Sequence, residues 1–159
     1  MALYRAHRHG AGSVEQARAT LRAAERAVAS KAGWDDLDLA IKADDAGRLR
    51  ALIDAGVSPN ARASFGSFPL YQAAFEGRAA LVDLLLTLGA DLEQANFEGA
   101  TALFGAAFRG HAEVVELLLA KGARADRRNQ FKQLPSDRAA RGGHAALARR
   151  LAQAAGGTG

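Results

Sequence analysis

The sequence predicts an all-α protein of the solenoid type, a stack of paired antiparallel helices with short β-hairpin loops, preceded by one further helix. Three observations predict it. Glycines recur at a step of 33 residues in separate columns: Gly56, Gly89 and Gly122; Gly77, Gly110 and Gly143; Gly66 and Gly99. The alanine pairs Ala73–Ala74, Ala106–Ala107 and Ala139–Ala140 keep the same step, as do Leu37, Leu70 and Leu103. Finally, Leu81, Val82, Leu84, Leu85 and Leu86, and then Val114, Val115, Leu117, Leu118 and Leu119, are apolar on more than one helical face. A helix lying on a surface shows a single stripe. A helix sandwiched between two neighbours needs both sides apolar, which stacked repeats provide.

The elements follow in order. Residues 1–12 are expected to be a flexible tail; they are mixed in character, with Arg5, His7, Arg8 and His9, and lack the apolar core that a secretory signal would need. Ser13 with Gln16 resembles a capping box. Val14, Ala17, Leu21, Ala24 and Val28 then form one narrow apolar seam. They predict an amphipathic helix over 13–33 that packs on the array, with Trp34 in the junction. A dimer seam is the alternative, weakened by only two heptads and two alanines. The array occupies 34–155: a capping repeat at 34–62, inner repeats at 63–95 and 96–128, and a capping repeat at 129–155. Residues 156–159 are expected to be a second flexible tail.

Within a repeat, Gly77, Gly110 and Gly143 fall between two helical stretches, where glycine closes one helix so that the next can start. The alanine pairs let neighbouring first helices approach closely. The first repeat begins near Asp36 without a full hairpin of its own, but Leu49, Leu52 and Ile53 hold the columns of Val82, Leu85 and Leu86. In the last repeat Arg150 stands in the column of Leu84 and Leu117, which suits an outer face that meets water. Lys132, Leu134, Ser136 and Asp137 break the pattern and predict an irregular final hairpin.

Two short helices, a glycine-rich extended segment and this period resemble ankyrin repeats. That family's pattern runs Gly-x-Thr-Pro-Leu-His-x-Ala-Ala-x-x-Gly-His, then Val-x-x-Leu-Leu and Gly-Ala. Gly99, Thr101, Leu103, Ala106, Ala107, Gly110, His111, Val115, Leu118, Leu119, Gly122 and Ala123 match it. So do Gly66, Pro69, Leu70, Ala73, Ala74, Gly77, Val82, Leu85, Leu86, Gly89 and Ala90 in the repeat before. The resemblance covers roughly residues 37–152.

It implies a protein–protein interaction module whose partners meet the concave face, made of the hairpin tips and the exposed side of each first helix. The tips carry Ser64 and Phe65, Phe97 and Glu98, and Gln130 and Phe131. The exposed helix ends carry Phe75 and Glu76, Phe108 and Arg109, and Arg141 and Gly142. The expected partner-binding residues are therefore Phe65, Phe75, Glu76, Phe97, Glu98, Phe108, Arg109, Phe131 and Arg141. An exposed phenylalanine forgoes about 1.5–3 kcal/mol of burial, and a run of them marks an interaction site. The alternative is that the rings pack on one another or on the hairpin stems and only stiffen the array. Phe68 and Phe104 belong with packing: Phe68 stands where the family has threonine, and Tyr71 and Phe104 stand where it has histidine. Packing is thus expected to replace the usual polar network at the hairpin–helix junction, which puts the stiffness of the hairpins at issue.

Charge is uneven. Residues 1–33 hold six basic and two acidic side chains (net +4), residues 34–120 six and thirteen (net −7), and residues 121–159 nine and two (net +7), giving +4 overall. Glu76 and Glu98 lie mid-groove, while Arg109, Arg128, Lys132, Arg138 and Arg141 lie toward its C-terminal end, where an acidic patch on a partner fits. Nucleic-acid or other polyanion binding through the basic segment Lys121 to Arg150 is the alternative function, opposed by the acidic groove centre.

The chain has no cysteine, which excludes disulfides, zinc–thiolate sites and thiol nucleophiles. His111 and His144 occupy the family's Gly-His column, and His7 and His9 lack a third metal ligand. No phosphate loop or nucleophile elbow occurs. The expectation is a non-enzyme without cofactor or metal, acting as an adaptor or as an inhibitor or immunity-type protein. No apolar run approaches the ~18 residues that a membrane span needs. A cytoplasmic monomer rather than a homodimer is expected, with a protein partner that the sequence does not name.

Overall fold

A computed structural model describes residues 14–21 and 33–156. Ser13, Ala24 and Val28 of the N-terminal seam, and His7 and His9, lie outside these residues. Residues 14–21 are helical and every one of them is exposed, Val14 and Leu21 included.

The array begins with α1 (33–42), which leads into α2 (Ala46–Asp54). The pairs α3 (Pro69–Phe75) with α4 (Ala79–Thr87), α5 (Ala102–Arg109) with α6 (Ala112–Ala120), and α7 (Pro135–Arg141) with α8 (Ala145–Ala155) follow. Helices this short are marginal alone and depend on packing. Local chemistry fixes where they start. Pro69 and Pro135 open α3 and α7, where the missing N–H has no partner to lose. The Asp45 carboxylate accepts from Arg48 N–H at 3.0 Å to cap α2, and the Asp137 carboxylate accepts from Leu134 N–H at 2.8 Å before α7.

First helices form one layer, α3 on α5 on α7, and second helices form another, α2 on α4 on α6. The 33-residue columns are the core. Ala40, Ala73, Ala106 and Ala139 are fully buried between first helices, and Leu49, Val82 and Val115 are buried with Leu85, Leu118 and Leu151 in the second layer. Each such leucine or valine contributes about 1.5–3 kcal/mol. Arg150 does meet water. It donates to Glu116 at 2.8 and 3.1 Å, spanning an open cleft of about 490 Å³ between α6 and α8.

The loops are tight turns, and among the described residues they contain no strand. Each tip closes by the same two bonds. Ala63 N–H donates to Ser67 O, Asn96 N–H to Ala100 O, and Asn129 N–H to Gln133 O; Gly66, Gly99 and Lys132 N–H close back on residues 63, 96 and 129. The final hairpin, expected to be irregular, therefore keeps the turn of the others. It does so because Lys132 adopts φ +61, a left-handed conformation that its glycine counterparts hold at φ +94 and +76. A side chain in that region costs about 1–2 kcal/mol. Lys132→Gly is thus expected to stabilise the array by about 0.5–1 kcal/mol after the added freedom of the unfolded chain is subtracted, read from chemical denaturation.

Repeats are also joined at the loop bases by a relay with the same period. Asn60 accepts from Asp91 N–H at 2.8 Å, and one repeat later Glu93 accepts from Arg124 N–H at 2.9 Å. Gln94 and Arg127 donate to the carbonyls of Asn60 and Glu93, at 3.2 and 2.7 Å.

Candidate binding face

Backbone geometry holds the tips first. The Asn96 side-chain oxygen accepts from Glu98 and Ala100 N–H at 2.9 and 3.0 Å, and that of Asn129 from Phe131 and Gln133 N–H at 2.9 and 3.0 Å. Asparagine, rather than a threonine–histidine network, thus stiffens the second and third tips. The first tip has Ala63 in this column. There Arg62 brackets the turn, donating to Gly66 O at 3.1 Å and Ala95 O at 2.8 Å. Arg128, in the same column two repeats on, donates likewise to Lys132 O. Asn129→Ala leaves two N–H groups without their acceptor and is expected to cost about 1–3 kcal/mol, with the loss visible as a lower unfolding midpoint.

On this frame the three tip rings stand out in solvent: Phe65 is 69% exposed, Phe97 58% and Phe131 62%. Phe65 meets the buried Trp34 edge-on, with centroids 6.1 Å apart. Phe97 lies on the bare face of Gly66, where a Cβ would sit 2.7 Å from the ring. The Arg62 guanidinium rests between Phe97 and Phe68, 5.7 and 5.8 Å from their centroids. Phe131 has no aromatic partner among the described residues.

At the helix ends Phe108 is 39% exposed, whereas Phe75 is half-buried. The difference has a cause. Phe75 stacks on Tyr71 at 6.0 Å and 17°, Tyr71 leans on Phe68 at 5.9 Å, and the Arg109 guanidinium lies 4.8 Å over Phe75. Gly105 opposite leaves room for the Tyr71 ring, 3.1 Å from where a Cβ would project. Burial pushes the Tyr71 hydroxyl pKa up; the Arg138 charge opposes this and Glu98 reinforces it. Tyr71 therefore stays neutral at physiological pH. Phe68 and Phe104 are fully buried, in line with a packing role.

Glu76 is half-buried and accepts from Gln72 at 3.2 Å. Glu98 reaches from its tip to Arg138 on α7 at 3.3 Å, and its carbonyl accepts from Gln130 N–H of the next tip at 2.9 Å. Arg109 and Arg141 are exposed and have no carboxylate within 4.0 Å among the described residues. His111 serves the fold: Nε2 bonds the Phe75 carbonyl at 2.9 Å, pinning α6 to the end of α3. Its ring covers Gly77, as the His144 ring covers Gly110.

The structure thus brings Phe75 together with Arg109, and Glu98 with α7. It adds residues absent from the sequence-based site. Tyr71 forms the ring platform, Arg62 supports Phe97, and Leu39 stands 55% exposed on α1. Leu39 shares the column of Gln72, Gly105 and Arg138, so the period held the signal. In the basic segment, Lys121, Arg124, Arg127, Arg138 and Arg150 each pair with a carboxylate. Among the described residues no group of three or more His, Cys, Asp or Glu side chains is placed to hold a metal ion, and no helix is long and apolar enough to cross a membrane.

A model of the ankyrin-repeat family, in three copies, matches residues 37–129. Comparison with curated proteins gives no match.

Proposed function

We propose, from the premise that this chain belongs to the ankyrin-repeat family, that it is a non-catalytic module whose protein partner docks on the face made by the loop tips and first helices. Ankyrin repeats are generally protein–protein interaction modules. The observation that carries the docking site is the exposure of Phe65, Phe97, Phe108 and Phe131 on one face. Soluble proteins rarely leave so many rings in water without a use for them. The tips that carry Phe97 and Phe131 are held rigid by asparagine, so little ordering entropy opposes binding there. An adaptor and an inhibitor would use the same face. The polyanion reading is disfavoured because most cations of the basic segment are already paired.

The test is affinity capture from native lysate with mass spectrometry, using the wild-type chain and a Phe108→Ala, Phe131→Ala variant. Phe131 is 62% exposed and Phe108 39%, so the variant is expected to stay folded and to melt only modestly below the wild type. It is expected to lose the captured protein, because aromatic anchors each contribute about 2 kcal/mol or more. Equal capture by both proteins would place the partner elsewhere.

A further inference from the structure

We infer that the groove takes an extended peptide segment with an apolar residue at one end and a pair of carboxylates about three to six residues apart at the other, its acidic end toward α5 and α7. The inference rests on the docking face proposed above and adds the chemistry and direction of what it binds.

The groove is graded along the stack. At α1 the column that faces it carries the exposed Leu39, Lys42 pairs with Asp38 at 2.8 Å, and Glu76, which accepts only from the neutral Gln72 amide, keeps its negative charge. The centre is the Tyr71–Phe75 ring platform. At the far end Glu98 is engaged by Arg138 and Arg128 donates to the Lys132 carbonyl, while Arg109 and Arg141 stand exposed with no carboxylate within 4.0 Å among the described residues. Arg109 is held in place over Phe75 at 4.8 Å, so it meets an incoming carboxylate with little reorganisation. Adjacent packed helices lie about 8–10 Å apart, and an extended chain advances about 3.3 Å per residue. The Arg109 guanidinium lies back toward Phe75 of α3 while Arg141 stands on α7, so the two match carboxylates about three to six residues apart, and the span from Leu39 to Arg141 matches about eight or nine extended residues. A nucleic acid has no apolar end to set on Leu39, and five of the nine cations from Lys121 to Arg150 are already paired with carboxylates.

The purified full chain can be challenged with a displayed library of random dodecapeptides. The expected winners carry Leu, Ile or Phe and, several residues away, two acidic residues about three to six positions apart. Against Arg109→Glu, Arg141→Glu, these peptides are expected to bind at least about tenfold more weakly. Fresh selection on that variant is expected to enrich Lys and Arg. The inference is overturned if nothing is selected, if the winners are not acidic, or if they bind the charge-reversed variant as well as the wild type. It is also overturned, in favour of a polyanion, if a labelled single-stranded oligonucleotide binds the wild type and not the variant. A lysate partner lost with Phe108→Ala, Phe131→Ala but retained by the charge-reversed variant would sink the acidic-peptide inference and leave the docking face standing. Retention by both variants would remove the docking face itself.

Discussion

Phe68→Thr is expected to lower the stability of the array by about 3 kcal/mol or more, although it restores the residue that ankyrin repeats carry there. The ring is fully buried at the entrance to α3, with Tyr71 on one side and the Arg62 guanidinium on the other. Threonine leaves most of that volume empty. Nor does its hydroxyl gain the compensation that the family pattern promises. Thr101 occupies the same column one repeat later and makes no side-chain bond to the start of α5. Losses of this size are a large share of the 5–15 kcal/mol that holds a domain together, and correspond to a fall on the order of 10 °C in melting temperature. Circular dichroism of the two proteins reads it directly. A change below about 1 kcal/mol would mean that the ring is not the support it is described as. Because Tyr71 leans on Phe68 and Phe75 on Tyr71, the platform in the groove loses its base, so capture of a partner should weaken together with stability.

Gly142→Ala is the second large effect, and a less intuitive one. In the two preceding repeats this column holds Glu76 and Arg109, so a side chain looks tolerable there. The backbone at Gly142 is ordinary, with φ −76. The obstacle is the neighbour: a Cβ would stand 2.2 Å from the Phe108 carbonyl oxygen and 2.9 Å from the His144 ring. A carbonyl at the end of a helix cannot rotate aside, so α7 must shift against α5. Overpacking of this kind costs about 1–3 kcal/mol or more. Gly143→Ala is the control. That position has φ +83 but open space around it, so only backbone strain is added, about 1–2 kcal/mol. Thermal melts are expected to rank the proteins wild type, Gly143→Ala, Gly142→Ala. The reverse order would show that the helix ends yield more easily than their backbone contacts imply.

These two cases show what the period conveyed and what it did not. Column arithmetic located the buried alanines, leucines and valines, since a repeat preserves which face each position presents. It also separated Phe68 and Phe104 from the tip rings, because the columns differ. Leu39 falls outside the sequence-based site because the first repeat lacks a full hairpin to mark its groove side, although its column is the one that later carries Arg138. The Tyr71–Phe75–Arg109 stack was not legible, since it depends on side-chain rotamers and on the space that Gly105 leaves. Lys132, Leu134, Ser136 and Asp137 depart from the pattern and predict an irregular final hairpin. It holds because Asn129 repeats what Asn96 does and Lys132 tolerates a strained φ, and that balance between one side-chain oxygen and one backbone angle has no periodic mark.

The open cleft between α6 and α8 has a consequence for how the chain yields. α8 leans chiefly on α7, and across the cleft its outer side is tied to α6 by the exposed Glu116–Arg150 pair. Such a pair is screened by salt, whereas the buried layers beneath α4 and α6 are not. The last helix is therefore expected to be the element that loosens first on warming, held back by Leu147 and Leu151 beneath it. Added salt should ease that opening only slightly, since an exposed pair contributes at most about 1 kcal/mol.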